Sequence, residues 1–306
     1  GSEMCIRDRF VVPLVGGILV AAAGVKLVQN VGERSNTTLD ILSVVLLAAG
    51  ITAFVYSVGE FSTNLIAGIV TFFAAIVLLG LFAARQLKLE HPVLNVRPMA
   101  SVRYWPACLL VVVSMMTTFS MSVLLPLYFE GAYGMTALVA GLLILPAIAC
   151  NAVTSIVGGR VMDARGAWPL LPVGFALIAV GQTAISMTAA SMNIGVVVAL
   201  TVVVYAGVGL VLSPSQTAGL ETLPAAEHPH GTALLNTWNM IAASFGPSLF
   251  IGLLSSSAAT AGAAGVATDV AQAIGFATAV RVTAVIAVVG FATSLVYARR
   301  ESHMSH

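Results

Sequence analysis

Few side chains in this sequence have the type and spacing that chemistry requires. The five histidines fall in predicted loops or the tail, and His228 and His230 flank Pro229, which is typical of a solvated turn. The three cysteines have no paired spacing that would indicate a disulfide or a metal site. The sequence also lacks the motifs of zinc peptidases, serine hydrolases and nucleotide-binding loops. We therefore predict no catalytic residue, no metal site and no cofactor.

The most distinctive local pattern is the stretch 158–166, Gly-Gly-Arg-Val-Met-Asp-Ala-Arg-Gly. It predicts a short cytoplasmic turn between two long helices, with glycines that let the helices approach closely. Asp163 is predicted to stabilise the N-terminus of the next helix near Pro169, where unpaired N–H groups and the helix dipole favour an anion. Arg160 and Arg165 can pair with Asp163 or with lipid phosphates. A basic loop would explain the arginines but not the Gly-x-x-x-Asp-x-x-Gly spacing.

The elements that position these residues follow from composition. Of the 306 residues, 59% are hydrophobic and 8% are charged, whereas a soluble domain averages roughly 45–50% and about 25%. This composition excludes an ordinary cytosolic enzyme and a disordered protein, and a net charge of +1 provides no field that would attract nucleic acid. Continuous apolar stretches of about 20 residues, without the alternation of membrane strands, predict an all-α fold, a polytopic transmembrane helical bundle. The nine stretches are 10–28, 41–58, 65–84, 105–129, 137–157, 170–190, 194–212, 233–254 and 276–298.

The basic residues predict how these helices are oriented. Ten of the thirteen Lys and Arg residues fall at one end of the helices or in the tail, and we assign that end to the cytoplasm of a bacterial inner membrane. They are Lys26, Arg34, Arg85, Lys88, Arg97, Arg103, Arg160, Arg165, Arg299 and Arg300. The C-terminus is then cytoplasmic. Aromatic residues at helix ends are predicted to form interfacial belts, namely Tyr56, Tyr104, Trp105, Tyr128, Trp168 and Tyr297.

Nine helices with a cytoplasmic C-terminus place the N-terminus outside, which predicts a chain that lacks an odd number of helices at its front. Residues 1–9 are polar and begin without Met, so we interpret them as a non-native or truncated leader. A signal peptide is the alternative, because Arg7 and Arg9 precede the first apolar stretch and the alanines 21–23 resemble a cleavage site. Such a signal would invert every later loop against the charge bias.

The stretch 158–166 resembles a signature of the major facilitator superfamily and, within it, of the fourteen-helix drug:proton antiporters. That signature, Gly-x-x-x-Asp-Arg-x-Gly, lies between the second and third helix of each six-helix half. Gly159, Asp163 and Gly166 match it in register. Ala164 replaces the family arginine, and Arg165 follows one place later. The resemblance assigns a gating role to Gly159, Asp163, Arg165 and Gly166.

The resemblance covers nearly the whole chain from residue 10, because 125–131, 140–146 and 231–237 are also similar to segments of the family's C-terminal half. It implies a major facilitator-like C-terminal six-helix domain preceded by three further helices, namely the last helix of the N-terminal half and two linker helices. Five helices would then be missing, an odd number, as the charges require. The implied domains are a leader 1–9, three transmembrane helices 10–84, a cytoplasmic linker 85–104, the transporter domain 105–298 and a tail 299–306.

The resemblance also implies a substrate cavity, because the first and fourth helices of each half line the centre of these transporters. In the first such helix of this chain, a serine, a threonine and a methionine share one face by spacings of four and three. Packing or lipid exposure of that face is the alternative. In the fourth, a tyrosine and a glutamine would be costly in lipid without partners. The predicted substrate-cavity residues are Ser114, Thr118, Met121, Thr201, Tyr205 and Gln216.

Amides, glycines and a Gly-Pro pair within the helices predict helix–helix contacts. The predicted helix-interface residues are Asn151, Asn236, Asn239, Gly246 and Pro247. Interhelical hydrogen bonding is predicted for Asn151 and for Gln182. By the resemblance, Asn236 and Asn239 face the interface with the other six-helix half. The Gly-Pro pair resembles an element of the antiporters, with a structural kink as the alternative. Gly207 and Gly209 are interpreted as packing positions.

We therefore predict part of a proton-driven exporter that moves drugs or other hydrophobic or cationic small molecules by alternating access. Its partners would be membrane lipid, protons, such substrates and the missing N-terminal helices, with no nucleic acid. No carboxylate occupies the centre of a predicted helix, so the proton-coupling acid is expected in the missing half. One alternative is a transporter of a specific metabolite anion, with Arg281 as counter-charge. Another is a non-transporting membrane remnant or accessory protein.

Overall fold

The computed structural model describes residues 14–18, 20–22, 24, 40–60, 64–89, 92 and 94–302. The chain forms two compact units, Gly1–Leu39 and Asp40–His306. In the first unit the described residues are helical and belong to the first predicted stretch, 10–28. The remainder of that stretch lies outside the described residues, as do the predicted leader and the last residues of the predicted tail.

The second unit contains eight described helices that are long and apolar enough to cross a membrane. No strand occurs in the described ranges. The prediction of an all-α polytopic bundle is therefore confirmed. The helices are α1 (Ile41–Glu60), α2 (Leu65–Lys88), α3 (Tyr104–Tyr133), α4 (Ala137–Arg165), α5 (Leu170–Thr188), α6 (Ile194–Glu221), α7 (His228–Ala263) and α8 (Thr268–Ser302).

The predicted first residues of the helices agree with the structure better than the predicted last residues do. Five of the eight, α1, α2, α4, α5 and α6, begin at the predicted residue. Local caps account for two of them, because the side chains of Asn64 and Asn193 accept hydrogen bonds from N–H groups in the first turns of α2 and α6. In contrast, α4 ends at 165 rather than 157 and α6 at 221 rather than 212. A helix ends where its backbone bonding is interrupted, not where its side chains become polar.

The stretch 158–166 is accordingly not the turn that the sequence analysis predicts. It forms the C-terminal part of α4, which continues through Arg165, and only Gly166 lies beyond the helix, with a φ of 74° that favours glycine. The expected close approach involves one glycine of the pair. A Cβ on Gly158 would lie 3.3 Å from the Gly209 carbonyl oxygen of α6, whereas Gly159 has open space around it.

Tyrosine hydroxyls fix the relative directions of the helices in the bundle. Tyr104 at the start of α3 donates to the Gly231 carbonyl near the start of α7, at 2.7 Å. Tyr297 near the end of α8 donates to the Ala218 carbonyl near the end of α6, at 3.1 Å. These four termini therefore lie at one end of the bundle, which also holds the end of α4 with its arginines. We call it the basic end.

Three members of the predicted aromatic belts are buried within the bundle instead of facing the lipid interface. Tyr104 and Tyr128 have no accessible surface and Tyr297 is 5% exposed. Tyr128 donates to the Ala189 carbonyl at 2.8 Å at the opposite end of the bundle. A tyrosine near a helix terminus combines an apolar ring with a donor that suits an unpaired terminal carbonyl. Trp105, Trp168 and Tyr56 are exposed, as a belt requires.

Glycines at two helix crossings determine the position of α6. A Cβ on Gly207 would lie 2.6 Å from the Gly174 carbonyl oxygen of α5, and one on Gly209 would lie 2.6 Å from the Asn151 carbonyl oxygen of α4. Real Cβ atoms do not approach backbone oxygen so closely, so these crossings require glycine. The interpretation of Gly207 and Gly209 as packing positions is confirmed.

The helices α1 and α2 form a hairpin that carries its own polar cluster. The Arg85 guanidinium donates to both carboxylate oxygens of Asp40, at 2.7 and 3.1 Å. These bonds hold the pKa of the Asp40 carboxyl well below its usual range, so the pair persists until the solution is strongly acidic. Gln86 continues the cluster by donating to Ser43 and accepting from the Leu94 N–H, which ties the segment before α3 to the hairpin.

Candidate functional site

A ladder of hydroxyl groups runs along α3 at intervals of four residues. Thr118 Oγ1 donates to the Ser114 carbonyl at 2.8 Å, and Ser122 Oγ donates to the Thr118 carbonyl at 2.8 Å. The three side chains become more accessible along the ladder: Ser114 is buried, Thr118 half-buried and Ser122 exposed. Their hydroxyl groups are satisfied within the helix, so the ladder is stable in an apolar environment.

Tyr205 on α6 connects this ladder to a third helix. Its hydroxyl lies 3.2 Å from Ser122 Oγ, and because Ser122 gives its only proton to Thr118, Tyr205 is the donor in this contact. The Tyr205 carbonyl accepts a hydrogen bond from Asn151 Nδ2 of α4 at 3.0 Å. The ring is 4% exposed. We call Thr118, Ser122, Tyr205 and Asn151 the polar seam, which joins α3, α6 and α4.

The predicted cavity residues only partly coincide with this seam. Ser114 and Met121 have no accessible surface, and Thr201 is 3% exposed with its hydroxyl bonded to the Val197 carbonyl. Gln216 lies eleven residues beyond Tyr205, about 16 Å along α6, so the structure does not bring them together. Ser122 was missed in the sequence analysis. The second step of four residues, from 118 to 122, is the signal that could have found it.

The contact between Ser122 and Tyr205 should be measurable as a small coupling energy. We expect a double-mutant cycle of Ser122→Ala and Tyr205→Phe to give about 0.6 kcal/mol, the average for hydrogen bonds between membrane helices. The measurement is reversible unfolding of the purified chain in mixed micelles. Tyr297→Phe is the matched control, since its hydroxyl bonds to α6 elsewhere, and its effect should add to that of Ser122→Ala. A coupling energy near zero for the first pair would contradict the bond.

The predicted gating residues lie together at the end of α4. Asp163, Arg165 and Gly166 are exposed, and Gly159 is half-buried. The Asp163 side chain forms no hydrogen bond or ion pair with any other described residue, and no side chain caps the start of α5 at Pro169. The expected stabilisation of that helix start by Asp163 is therefore wrong. The helix continues through Arg165, so the carboxylate is in its last turn and not next to the following helix.

The predicted helix-interface residues occupy different environments. The Asn151 bond to α6 joins two helices of this bundle, whereas the buried Gln182 has no hydrogen-bond partner among the described residues, contrary to its prediction. Asn236 is exposed on α7 and Asn239 is 9% exposed. Gly246 packs α7 against α3, because a Cβ added at this position would lie 2.9 Å from Ser120 Oγ. Pro247 follows within the continuous helix.

A separate cavity of about 650 Å³ opens between α3, α7 and α8, towards the end opposite the basic one. Its lining includes Glu130, Ser255 and Gln272 beside aliphatic side chains. None of the predicted cavity residues contributes to it. From the sequence alone, no function is assigned to Glu130.

Together, the bilayer-length helices, the glycine crossings and the polar seam within them define a polytopic membrane protein. The family model of the Major Facilitator Superfamily matches residues 41–247. This chain belongs to that superfamily. The family is one of membrane transporters, so the comparisons assign the chain to the integral membrane transporters rather than to the enzymes.

Three relatives show the range of proteins that this chain resembles. It is 30% identical to the lincomycin resistance protein LmrB of Listeria monocytogenes over 78% of this chain and 51% of that protein. It is 30% identical to the uncharacterised MFS-type transporter YcnB of Bacillus subtilis, over 94% of this chain and 61% of that protein. The riboflavin transporter RibZ of Clostridioides difficile is 21% identical over 79% of this chain and 52% of that protein. The chain thus spans about half the length of most curated relatives it matches.

Proposed function

We propose that this protein acts in the proton-driven export of drugs or other hydrophobic small molecules. The observation that carries the proposal is the 30% identity to a protein named for lincomycin resistance, across 78% of this chain. A multidrug resistance protein B homolog of Mycobacterium tuberculosis is similar over 72% of the chain, which supports the same class of substrate. Protons, membrane lipid and small hydrophobic or cationic compounds are the proposed partners.

We assign the substrate-facing role to the accessible part of the polar seam. Thr118 and Ser122 offer oxygen atoms on the surface of α3, and Tyr205 holds Ser122 in place from α6. Ser114, Met121 and Thr201 lie behind this surface and support it by packing, whereas Gln216 lies closer to the basic end. Alternating access would expose this face to each side of the membrane in turn.

We further propose that α3–α8 form the C-terminal six-helix half of a fourteen-helix transporter, with α1 and α2 as its linker hairpin. The coverage of 51% of LmrB supports this arrangement. Ten basic residues at one end of the helices and in the tail support a cytoplasmic C-terminus. Asn236, which is exposed on α7, would then lie near the other half, and the gating residues of α4 would latch one state.

The proposal is tested with the complete gene. Sequencing upstream of codon 10 should show five further apolar helices, with a membrane-buried Asp or Glu in them. Cells that express the complete gene should then expel ethidium, and chemically unrelated lipophilic cations should compete with it. A start codon close to residue 10, or no export by cells with verified membrane insertion, would contradict the proposal.

The second candidate function is transport of one specific metabolite. The similarity to RibZ, a riboflavin transporter, favours it, although the identity is 21%. Arg281, the counter-charge that this alternative invokes, is exposed on α8. A requirement for Arg281 with a single anionic substrate, and no competition by cations, would favour this function over drug export.

A further inference from the structure

The cavity between α3, α7 and α8 has the shape of a slot that runs along α7. Its lining positions on that helix, from Ile251 to Gly262, recur every three or four residues and therefore share one face. From Ile251 to Gly262 the helix rises about 16 Å. A volume of about 650 Å³ lies within the range of cavities that hold drug-sized molecules, roughly 300–1,000 Å³.

The slot combines an apolar wall with a polar mouth. Leu127, Leu254 and Ala258 form part of the wall. Gly131 packs against the Gln272 side chain, because a Cβ added to Gly131 would lie 3.2 Å from Gln272 Cγ. The Gln272 amide therefore lies over the end of α3 beside Glu130. Glu130, Thr268 and Gln272 thus lie near the ends of their helices, whereas Ser255 lies farther along α7 among the aliphatic groups.

The Glu130 carboxylate has no cation to pair with in the described structure. Arg85 is paired with Asp40, and Glu130 forms no side-chain hydrogen bond or ion pair with any described residue. No lysine or arginine occurs in the sequence between 104 and 159 or between 166 and 280. Arg281, the next basic residue, lies nine residues beyond Gln272, about 14 Å along α8. Asp269 at the start of α8 adds a second negative charge to this end.

The position of Glu130 is not explained by the stability of its own helix. It lies in the last turn of α3, where the helix dipole disfavours a carboxylate. Asp269, in contrast, occupies the first turn of α8, where a carboxylate is favourable. An unpaired acid at an unfavourable helix terminus, at the mouth of an apolar slot, is complementary to a cation that carries an apolar body.

We propose that this slot binds lipophilic organic cations, with the cationic centre at Glu130 and the apolar body along α7. The site is distinct from the polar seam, since they share no residue. In drug export the slot would serve as a peripheral site on the substrate path. Only this physiological use rests on the proposed function; the binding itself does not. The same chemistry, an ammonium group on an apolar body, occurs in the phosphatidylethanolamine headgroup with its acyl chains, so the experiment must separate the two sources.

The test is equilibrium binding of radiolabelled tetraphenylphosphonium to the purified 306-residue chain in phosphatidylglycerol nanodiscs. Saturable binding is expected, and Glu130→Gln should weaken it at least tenfold because the unpaired charge is lost. Ala259→Leu, a neutral change at an exposed position that lines the slot, should weaken it at least fivefold by filling the site. The steric variant locates the binding, since it leaves every charge in place.

Two matched variants control for general effects. Glu221→Gln removes an exposed carboxylate at the basic end, and Ala152→Leu adds the same bulk on the exposed face of α4; both should bind as the unaltered chain does. Unchanged binding by Glu130→Gln or Ala259→Leu, in chains with unaltered elution and melting temperature, would overturn the proposal. Loss of probe binding when phosphatidylethanolamine is included in the nanodisc bilayer would also overturn the proposal, because it would make this a lipid site. Binding is measured without transport. Absence of cation binding would therefore leave the proposal of drug export intact, and absence of export would leave the proposed binding site intact.

Discussion

Replacing Asp163 by Asn in the complete transporter should reduce export at least tenfold while leaving membrane insertion and folding intact. Asp163 is exposed in the last turn of α4 and has no partner among the described residues. At that terminus the helix dipole disfavours its charge, so neutralisation should not destabilise this bundle. If the residue latches one state through charge-assisted hydrogen bonds worth about 1.5–3 kcal/mol, their loss corresponds to tenfold or more in the balance between states.

The measurement is the initial rate of ethidium export, normalised to the amount of protein in the membrane. Glu221→Gln is a close control, because Glu221 is an exposed carboxylate at the end of α6, at the same end of the bundle. It should retain export. Export by Asp163→Asn equal to that of the parent would exclude a latch role. Equal loss in both variants would instead indicate a general effect of surface charge.

Much of the fold could be predicted because lipid constrains the sequence so strongly. Only helices satisfy every backbone group in a continuous apolar run, and residues such as Asn64 and Asn193 mark where helices begin. The ends at Arg165 and Glu221 could not be read from hydropathy, since polar residues continue a helix without cost once it leaves the bilayer. This is why the signature at 158–166 lies within α4 and not in a turn.

The candidate site was harder to predict because spacing identifies a face but not what that face contacts. α3 is apolar on all sides, so its periodicity does not distinguish the buried side of Ser114 and Met121 from the accessible side of Ser122. The partner of Asn151 is a backbone carbonyl on another helix, which no side-chain pattern encodes. The burial of Tyr104 likewise depends on a carbonyl 127 residues away in the chain.

Replacing Gly174 by Val should prevent the bundle from assembling. A Cβ at this position would collide with Val211 Cγ1 and lie 2.9 Å from the Gly207 carbonyl oxygen, so α5 and α6 would have to separate. Overpacking of this kind costs about 3 kcal/mol or more, because a backbone carbonyl cannot move aside as a side chain can. We expect the purified variant to elute as aggregate in size-exclusion chromatography. Gly141→Val is the control: this helical position in α4 has open space around it, so its elution should be unchanged.

A rescue experiment separates the side-chain contact from the backbone contact at the same crossing. Gly174→Ala alone should lower the melting temperature, and adding Val211→Ala removes the nearest methyl group but leaves the Gly207 carbonyl oxygen at 2.9 Å. The rescue should therefore be partial. Complete rescue would mean that only the valine methyl opposes a side chain at 174, and no rescue would mean that the carbonyl alone does. Because α6 carries Tyr205, residual separation of the helices should also reduce the Ser122–Tyr205 coupling energy, which links this crossing to the polar seam.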